Sequence, residues 1–312
     1  MKSVYKILPV VDYQQWSQYF SSVNIPNLVQ SWSYGDAKMK IQDYKLMRGI
    51  IYENEHPIAL IQVWYKKYLF LKVVRLSYGP LWIIEKPNIE QIHGVFRVIK
   101  KYWNLRNLSV LSVAPNIVNL PEYNNILTKL RYYKRKSKPY DSGIINLNQS
   151  ISDLRAKLRQ NWRNQLTTSE KKGLTFHVSQ DYSDFLWMMS CFEMYREQKN
   201  FYGHSIPLLD ALHKNSFDFH QTWVAIATCN GERVAGMLIA YYGLSCTPLV
   251  IWLNKNGRAL NAGNFLFWNS ILYAKNMGSA WFDLGGTNDA TKFKTGLPHE
   301  KYQMIGEYYS LI

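Results

Sequence analysis

The 312-residue chain reads as an α/β (α+β) protein of mixed sheets, two tandem units that share one order of elements. Three observations predict this. Strand-like runs of period two alternate with helical stretches of period 3.6 along the chain. The order strand, two helices, three strands, helix, strand, helix, strand occurs near residues 4–148 and again near 174–310. Hydrophobic residues make up 47% of the chain and aromatic ones 15%, enough for each half to hold its own core.

In the first half, Asp12 caps a helix that carries Tyr13, Trp16, Phe20 and Val23 at helical spacing. A second helix follows near 31–40, then strands near 45–53, 57–66 and 68–77, the first two joined by the turn Glu53-Asn54-Glu55-His56. Asn88 opens the clearest helix, with Ile89, Ile92, Val95, Phe96, Ile99 and Trp103 on one face. A strand near 107–113 stops before Pro115, and a helix near 121–130 and a strand at Ile144–Leu147 complete the half.

A basic helix near 151–171 bridges to the second half. There a strand at 174–179 precedes a helix from Asp181 to Lys199 and a short helix at 207–215. Strands at 222–229 and 232–242 meet at Asn230-Gly231, a strong hairpin signal, and a third covers 248–254. A helix at 262–277, a strand at Ala280–Asp283, a glycine turn, a short helix at 289–296 and a strand at 302–310 close the chain. The domains expected are therefore 1–150, a bridging helix 151–172, and 173–312.

Composition narrows the function. Thirty-seven Lys and Arg oppose 22 Asp and Glu, a net charge of +15 that invites an anionic partner. Residues 131–172 alone hold eleven basic residues against three acidic ones. Tyr132, Tyr133, Tyr140 and Trp162 interleave with them, a mixture suited to phosphates and stacked bases. Nucleic acid, a nucleotide carrier and an anionic membrane face all fit. The three cysteines form neither a disulfide framework nor a zinc signature, and the seven histidines show no metal-binding spacing, so no metal is expected. No apolar run approaches the roughly 20 residues of a spanning helix, and the first residues lack a signal-peptide core. The expected location is cytoplasmic, with peripheral contact at the inner membrane face as a further expectation.

The motifs are more specific. Trp281-Phe282-Asp283-Leu284-Gly285-Gly286 runs from a strand into a glycine turn, followed by Phe293-Lys294-Thr295-Gly296-Leu297 and Gly306-Glu307-Tyr308. Leu158–Leu166 with Glu170-Lys171-Lys172-Gly173-Leu174, and Glu193–Phe201, add to the pattern. So do Gln30-Ser31-Trp32 with Lys38, and Tyr78-Gly79-Pro80. Together these resemble the FemAB-type aminoacyltransferases of peptidoglycan interpeptide bridges, and the element order resembles two tandem GNAT acyltransferase units. The long coiled-coil arm of some bridge-forming enzymes is absent, because no sustained heptads occur. Leu297-Pro298-His299 replaces the family's glycine pair after its Phe-Lys motif.

The resemblance implies site residues. It places Lys294 at the reacting carbonyl as oxyanion stabiliser, its alternative being a surface lysine. Asp283 either orients an amine or caps the Gly285-Gly286 turn. On the acceptor side, Lys38 resembles a phosphate-contacting lysine and Tyr78 lies at a neighbouring position. Trp32 and Lys199 join them, Trp32 otherwise belonging to the core and Lys199 otherwise serving its helix dipole. In the GNAT fold, the helix after the fourth strand offers backbone N–H groups to a pyrophosphate. The corresponding stretch is Asn256–Asn264, with Arg258 as counter-charge and Asn261 and Gly263 at the helix start; a plain loop is the other reading. Arg159 and Arg163, one turn apart, suit a phosphate.

No Ser/His/Asp or Cys/His constellation points to a covalent acyl-enzyme, so direct attack by an amine within a ternary complex is expected. The co-substrate expected is aminoacyl-tRNA, or alternatively acyl-CoA, with no tightly bound cofactor. The acceptor expected is a lipid- or nucleotide-linked envelope precursor, or an amine in exopolysaccharide synthesis. A different class also fits: a non-catalytic RNA- or membrane-binding protein that keeps the fold.

Overall fold

The computed structural model describes residues 3–215, 220–286 and 289–310. The chain divides into two compact units, Met1–Asp141 with Tyr302–Ile312, and Ser142–Lys301. These bounds differ from 1–150 and 173–312: the last strand belongs to the first unit, and residues 151–172 lie inside the second.

The first unit contains β1 (Tyr5–Val10), α1 (Tyr13–Phe20), α2 (Trp32–Ile41), β2 (Lys45–Glu53), β3 (His56–Tyr68), β4 (Leu71–Ser77), β5 (Leu81–Trp82), α3 (Ile89–Tyr102), β6 (Ser109–Ala114), α4 (Pro121–Lys129) and β7 (Tyr133–Lys134). The second contains β8 (Asp141–Asn146), α5 (Ile151–Ala156), α6 (Gln160–Glu170), β9 (Leu174–Ser179), α7 (Tyr182–Lys199), α8 (Ile206–Lys214), β10 (His220–Cys229), β11 (Glu232–Tyr242), β12 (Ser245–Leu253), α9 (Lys255–Ala259), α10 (Ala262–Asn276), β13 (Trp281–Asp283), a 3-10 helix (Asp289–Gly296) and β14 (Glu300–Gln303). The chain then returns to the first unit with β15 (Tyr308–Ser310).

Local signals fix the helix starts. Asp12 accepts hydrogen bonds from the amides of Gln14 and Gln15, and Asn88 and Gln91 form a reciprocal capping box at α3. Period-two burial then sorts β2 and β3. Ile51, Ala59 and Ile61 pack under α3 with Ile92, Val95, Phe96 and Ile99, while Ile50 and Leu60 face Trp16 and Phe20 of α1. The second unit repeats the device. Ala225, Ala227, Met237 and Ile239 face α6 and α10, and Val224, Ile226 and Leu238 face α7 and α8.

The sheet orders match. The first runs β1-β2-β3-β4-β6-β15-β7, with β5 against β3; the second, read from β9, runs β9-β10-β11-β12-β13-β8-β14. Among the described residues each has a parallel pair, β4 with β6 and β12 with β13, at the same place in the order. The tandem GNAT-like reading therefore holds at the level of topology. One element of it does not: the strand expected to close the first half, near Ile144–Leu147, pairs with β13 of the second sheet, and β15 takes the sixth place in the first.

The basic bridging helix is two helices, broken at Lys157–Arg159, where the Arg159 amide donates to the Gly296 carbonyl at 3.0 Å. Much of the basic run is already engaged. Arg155 makes a two-pronged contact with Glu170 at 2.6 and 2.7 Å, Lys172 donates to the Ala259 carbonyl at 2.9 Å, and Arg135 pairs with Glu307 at 3.0 Å. Residues 131–172 also fall on both units. Among the described residues the longest helix, α7, has 18 residues, and no helix is long and apolar enough to cross a membrane.

Candidate active site

In the second unit, β12 and β13 pair only at Ser245↔Trp281 and Cys246↔Phe282, then part. Next to the split β12 bulges: the register with β11 passes from Leu238↔Val250 to Ile239↔Pro248, leaving Leu249 as the extra residue. Pro248, which has no N–H to give a ladder, is tolerated at such a bulge. The glycine turn closes over it. Gly285 has φ +69°, and a Cβ there would stand 2.8 Å from the Pro248 carbonyl and 3.2 Å from Thr247 Oγ1, so both backbone sign and space require glycine.

Lys294 reaches this split. It is 7% exposed, and its ammonium donates to the Leu284 carbonyl at 2.6 Å. The 3-10 helix sends successive residues to different sides: Phe293 packs on Trp162 and Phe267, while Lys294 turns toward the strand ends. Burial lowers the Lys294 ammonium to about 8, against the nearby Asp283 carboxylate, which favours the cation. The group is therefore charged at neutral pH, yet close to release of its proton.

Asp283 spends its Oδ1 on the turn. It accepts from Ser142 Oγ at 2.7 Å and from the Gly285 amide at 2.8 Å, and Ser142 Oγ accepts from the Gly286 amide at 3.0 Å. The capping role of the two expected for it is the one these contacts display, together with electrostatic support of Lys294. His204, in the segment after α7, feels the charge of Lys294. Its surface is open to solvent, but crowding by protein lowers its pKa first and Lys294 lowers it further.

The first unit holds a second cluster. Lys38 on α2 lies 5.1 Å from the Trp64 ring centre and 5.9 Å from that of Tyr44. Burial, then Arg75, lowers its pKa. Tyr34 packs edge-on against Trp64 at 6.2 Å, and Tyr78 against Tyr140 at 5.6 Å. Burial raises both phenols, and Arg75 opposes the rise in each. A half-buried lysine, an exposed arginine and five aromatic rings are thus linked here.

A buried polar network sets α2 there. Gln62 and Gln30 are fully buried; the Gln30 amide donates to the Gln62 and Ser77 carbonyls, and Gln62 donates to the Val29 and Ser31 carbonyls. Arg48 donates to Gln62 Oε1 at 2.7 Å, to the Trp32 carbonyl at 2.9 Å and to Asp36 at 2.6 Å. Gly35 has no room for a side chain against Gln62 and Arg48. The Gln30-Ser31-Trp32 motif is therefore scaffolding: Gln30 bonds the sheet, Ser31 caps α2, and Trp32 stacks on the Arg48 guanidinium at 3.5 Å.

The other expected residues divide. Trp32 packs on Tyr13 and Trp16 beside Arg48. Lys199 is the exposed last residue of α7. The stretch expected as a phosphate loop is partly the short helix α9, and Gly257 lets that helix sit on the Val234 carbonyl. Arg258 is exposed and lies over the Tyr195 ring at 5.8 Å. Asn261, at φ +55°, turns the chain into α10, whose start has no side-chain cap. Gly263 is buried in its first turn against Leu253 and Phe293. Arg159 is exposed, whereas the Arg163 guanidinium donates to the Ala156 carbonyl at 3.3 Å, so the pair is not jointly free. Sequence reasoning missed His204, Ser142, Arg75 and Tyr34. Only the histidine had a local signal, in the Phe201-Tyr202-Gly203-His204 segment that follows a family-like helix end. Among the described residues no cluster of His, Cys, Asp and Glu could hold a metal ion.

Known proteins resemble this arrangement. Residues 152–295 match the model of the acetyltransferase (GNAT) domain. A comparison with curated protein sequences returns no match. The crystal structure of FemX superimposes with a TM-score of 0.83 at 13% identity, over 98% of this chain and 97% of that one. A tandem GNAT protein from the clavulanic acid biosynthesis pathway gives 0.53 at 7% identity, over 98% of each chain. L-PGS from Bacillus licheniformis gives 0.50 at 14%, over 96% of this chain and 91% of that one.

Proposed function

We propose that this chain, whose second unit carries a GNAT-type acyltransferase domain, moves an aminoacyl group from aminoacyl-tRNA onto an amine of a cell-envelope precursor. The observation that carries the reading is Lys294, a buried ammonium held at the parted ends of β12 and β13. The acceptor amine attacks the donor carbonyl, and the electron pair moves onto oxygen. The Lys294 ammonium stabilises that oxyanion. His204 accepts the proton lost by the amine and returns it to the leaving oxygen as the intermediate collapses, so that the carrier departs as its hydroxyl; a thioester's carrier departs as thiolate. In the first unit, Lys38 and Arg75 among Tyr34, Trp64 and Tyr78 suit a phosphate-bearing part of the acceptor. The transfer-RNA donor is favoured by the motifs that resemble FemAB-type aminoacyltransferases and by the charge of +15. Acyl-CoA is the second reading, favoured by the acetyltransferase domain match and the uncapped start of α10.

Transfer assays with charged tRNA and with acetyl-CoA, each with extracted envelope precursors, decide between them. Product from tRNA alone, weakening steeply with salt, is expected; product from acetyl-CoA alone overturns the donor assignment. The pH dependence tests the residues. Lys294 must be charged and His204 neutral, so kcat/KM is highest between an acid limb below the ordinary imidazole value and an alkaline limb near 8. Above the alkaline limb it falls about tenfold per pH unit. A rate that climbs through pH 8 to a plateau would instead make Lys294 the base.

A further inference from the structure

The β3–β4 hairpin of the first unit ends in an apolar tip. Pairing continues to Tyr68↔Leu71, so Leu69 and Phe70 alone make the turn. Leu69 has φ +54° and is 95% exposed, with Phe70 at 71% and Tyr68 at 56%. A positive φ at the first position of a two-residue turn selects glycine or asparagine, which take that conformation at little cost. Leucine there carries backbone strain and an open apolar side chain at once, and gains no contact inside the fold. Beside the tip, the Lys72 amide donates to the Leu108 carbonyl at 2.7 Å, which brings the exposed Leu105 and Leu108 to the same edge.

Cations surround these side chains. Lys66, Lys67 and Lys72 flank the tip, and Lys101 and Arg106 flank Leu105 and Leu108. No Asp or Glu occurs from His56 to Ile84 or from Gln91 to Pro121, and Asp43 reaches this group only at Lys66, 3.5 Å away. An open cleft of about 610 Å³ on the same edge is lined by Lys72, Lys101, Tyr102, Trp103, Asn107 and Ser109, among others.

We propose that this edge docks on the surface of an anionic phospholipid bilayer. Tyr68, Leu69 and Phe70 enter the boundary between headgroups and acyl chains, the lysines lie on the lipid phosphates, and the cleft receives one headgroup. A leucine at the apex suits acyl chains rather than stacked bases. A second copy of the chain would bring like-charged collars together, which disfavours self-association.

The test is co-sedimentation of the full chain with vesicles of phosphatidylcholine and with vesicles of equal phosphatidylcholine and phosphatidylglycerol, in 0.1 M salt. Binding is expected to the anionic vesicles only. Leu69→Ser with Phe70→Ser weakens it at least tenfold, and Lys67→Ser or Lys72→Ser about fivefold each. These side chains bear little of the core, so unchanged circular dichroism is expected. The proposal is overturned if the wild type ignores anionic vesicles, if the tip variant binds them equally well, or if the tip instead drives a dimer in solution. The vesicle assay contains neither donor nor acceptor, so its failure leaves the acyl-transfer reading standing, and failure of that reading leaves this one.

Discussion

Lys294→Met lowers kcat/KM by about 10²–10³, the loss typical of removing one donor to a developing oxyanion. The same change makes the folded chain more stable at neutral pH. Folding moves this ammonium from an ordinary 10.5 to about 8, so keeping it charged in the native state costs about 3 kcal/mol. The folded value lies below the unfolded one. The cost is therefore fully present below pH 8 and fades as pH rises from 8 toward 10.5. Methionine removes it but leaves the Leu284 carbonyl without its donor, which offsets part of the gain. The variant should unfold about 1–2 kcal/mol less readily than wild type at pH 7. Between pH 7 and 10.5 the wild type should recover about 3 kcal/mol relative to it. Denaturant titrations at the two pH values measure this directly. A difference that does not change with pH would mean that Lys294 is not held as a desolvated cation.

Arg48→Met should destabilise the first unit by about 3 kcal/mol. The substitution leaves Gln62 Oε1 buried without its donor and removes the pair with Asp36, whose own side chain is partly solvated. It also removes the guanidinium under Trp32. All three contacts locate α2, so Lys38 moves with it. KM for the acceptor should rise more than kcat falls, a split that mere loss of folded protein would not give. Equal effects on both parameters would show that Lys38 does not contact the acceptor.

The fold was readable where the sequence is periodic. Alternation in β2, β3, β10 and β11 and the caps at Asp12 and Asn88 are local properties, and the helices and strands arise where these place them. The partner of a strand is not local. Ile144 and Ile145 read as a buried strand from any context, and nothing in them says which sheet they join. The same holds for the site. Lys294 and Asp283 lie in a motif dense enough to be recognised. His204, Ser142 and Arg75 acquire meaning only when distant segments meet. Trp32 shows the same limit: it lies in the Gln-Ser-Trp motif, but nothing local says that its ring stacks on Arg48, a residue sixteen positions away.

The exchange of sixth strands has a consequence for biosynthesis. β15 lies between β6 and β7, with Tyr308 and Ile305 fully buried in the core of the first unit. A ribosome delivers that strand after every strand of the second unit. The first unit must therefore wait, its sheet open between β6 and β7, until the second has been made. Unlike a chain of independent beads, this protein completes its first unit only after its second.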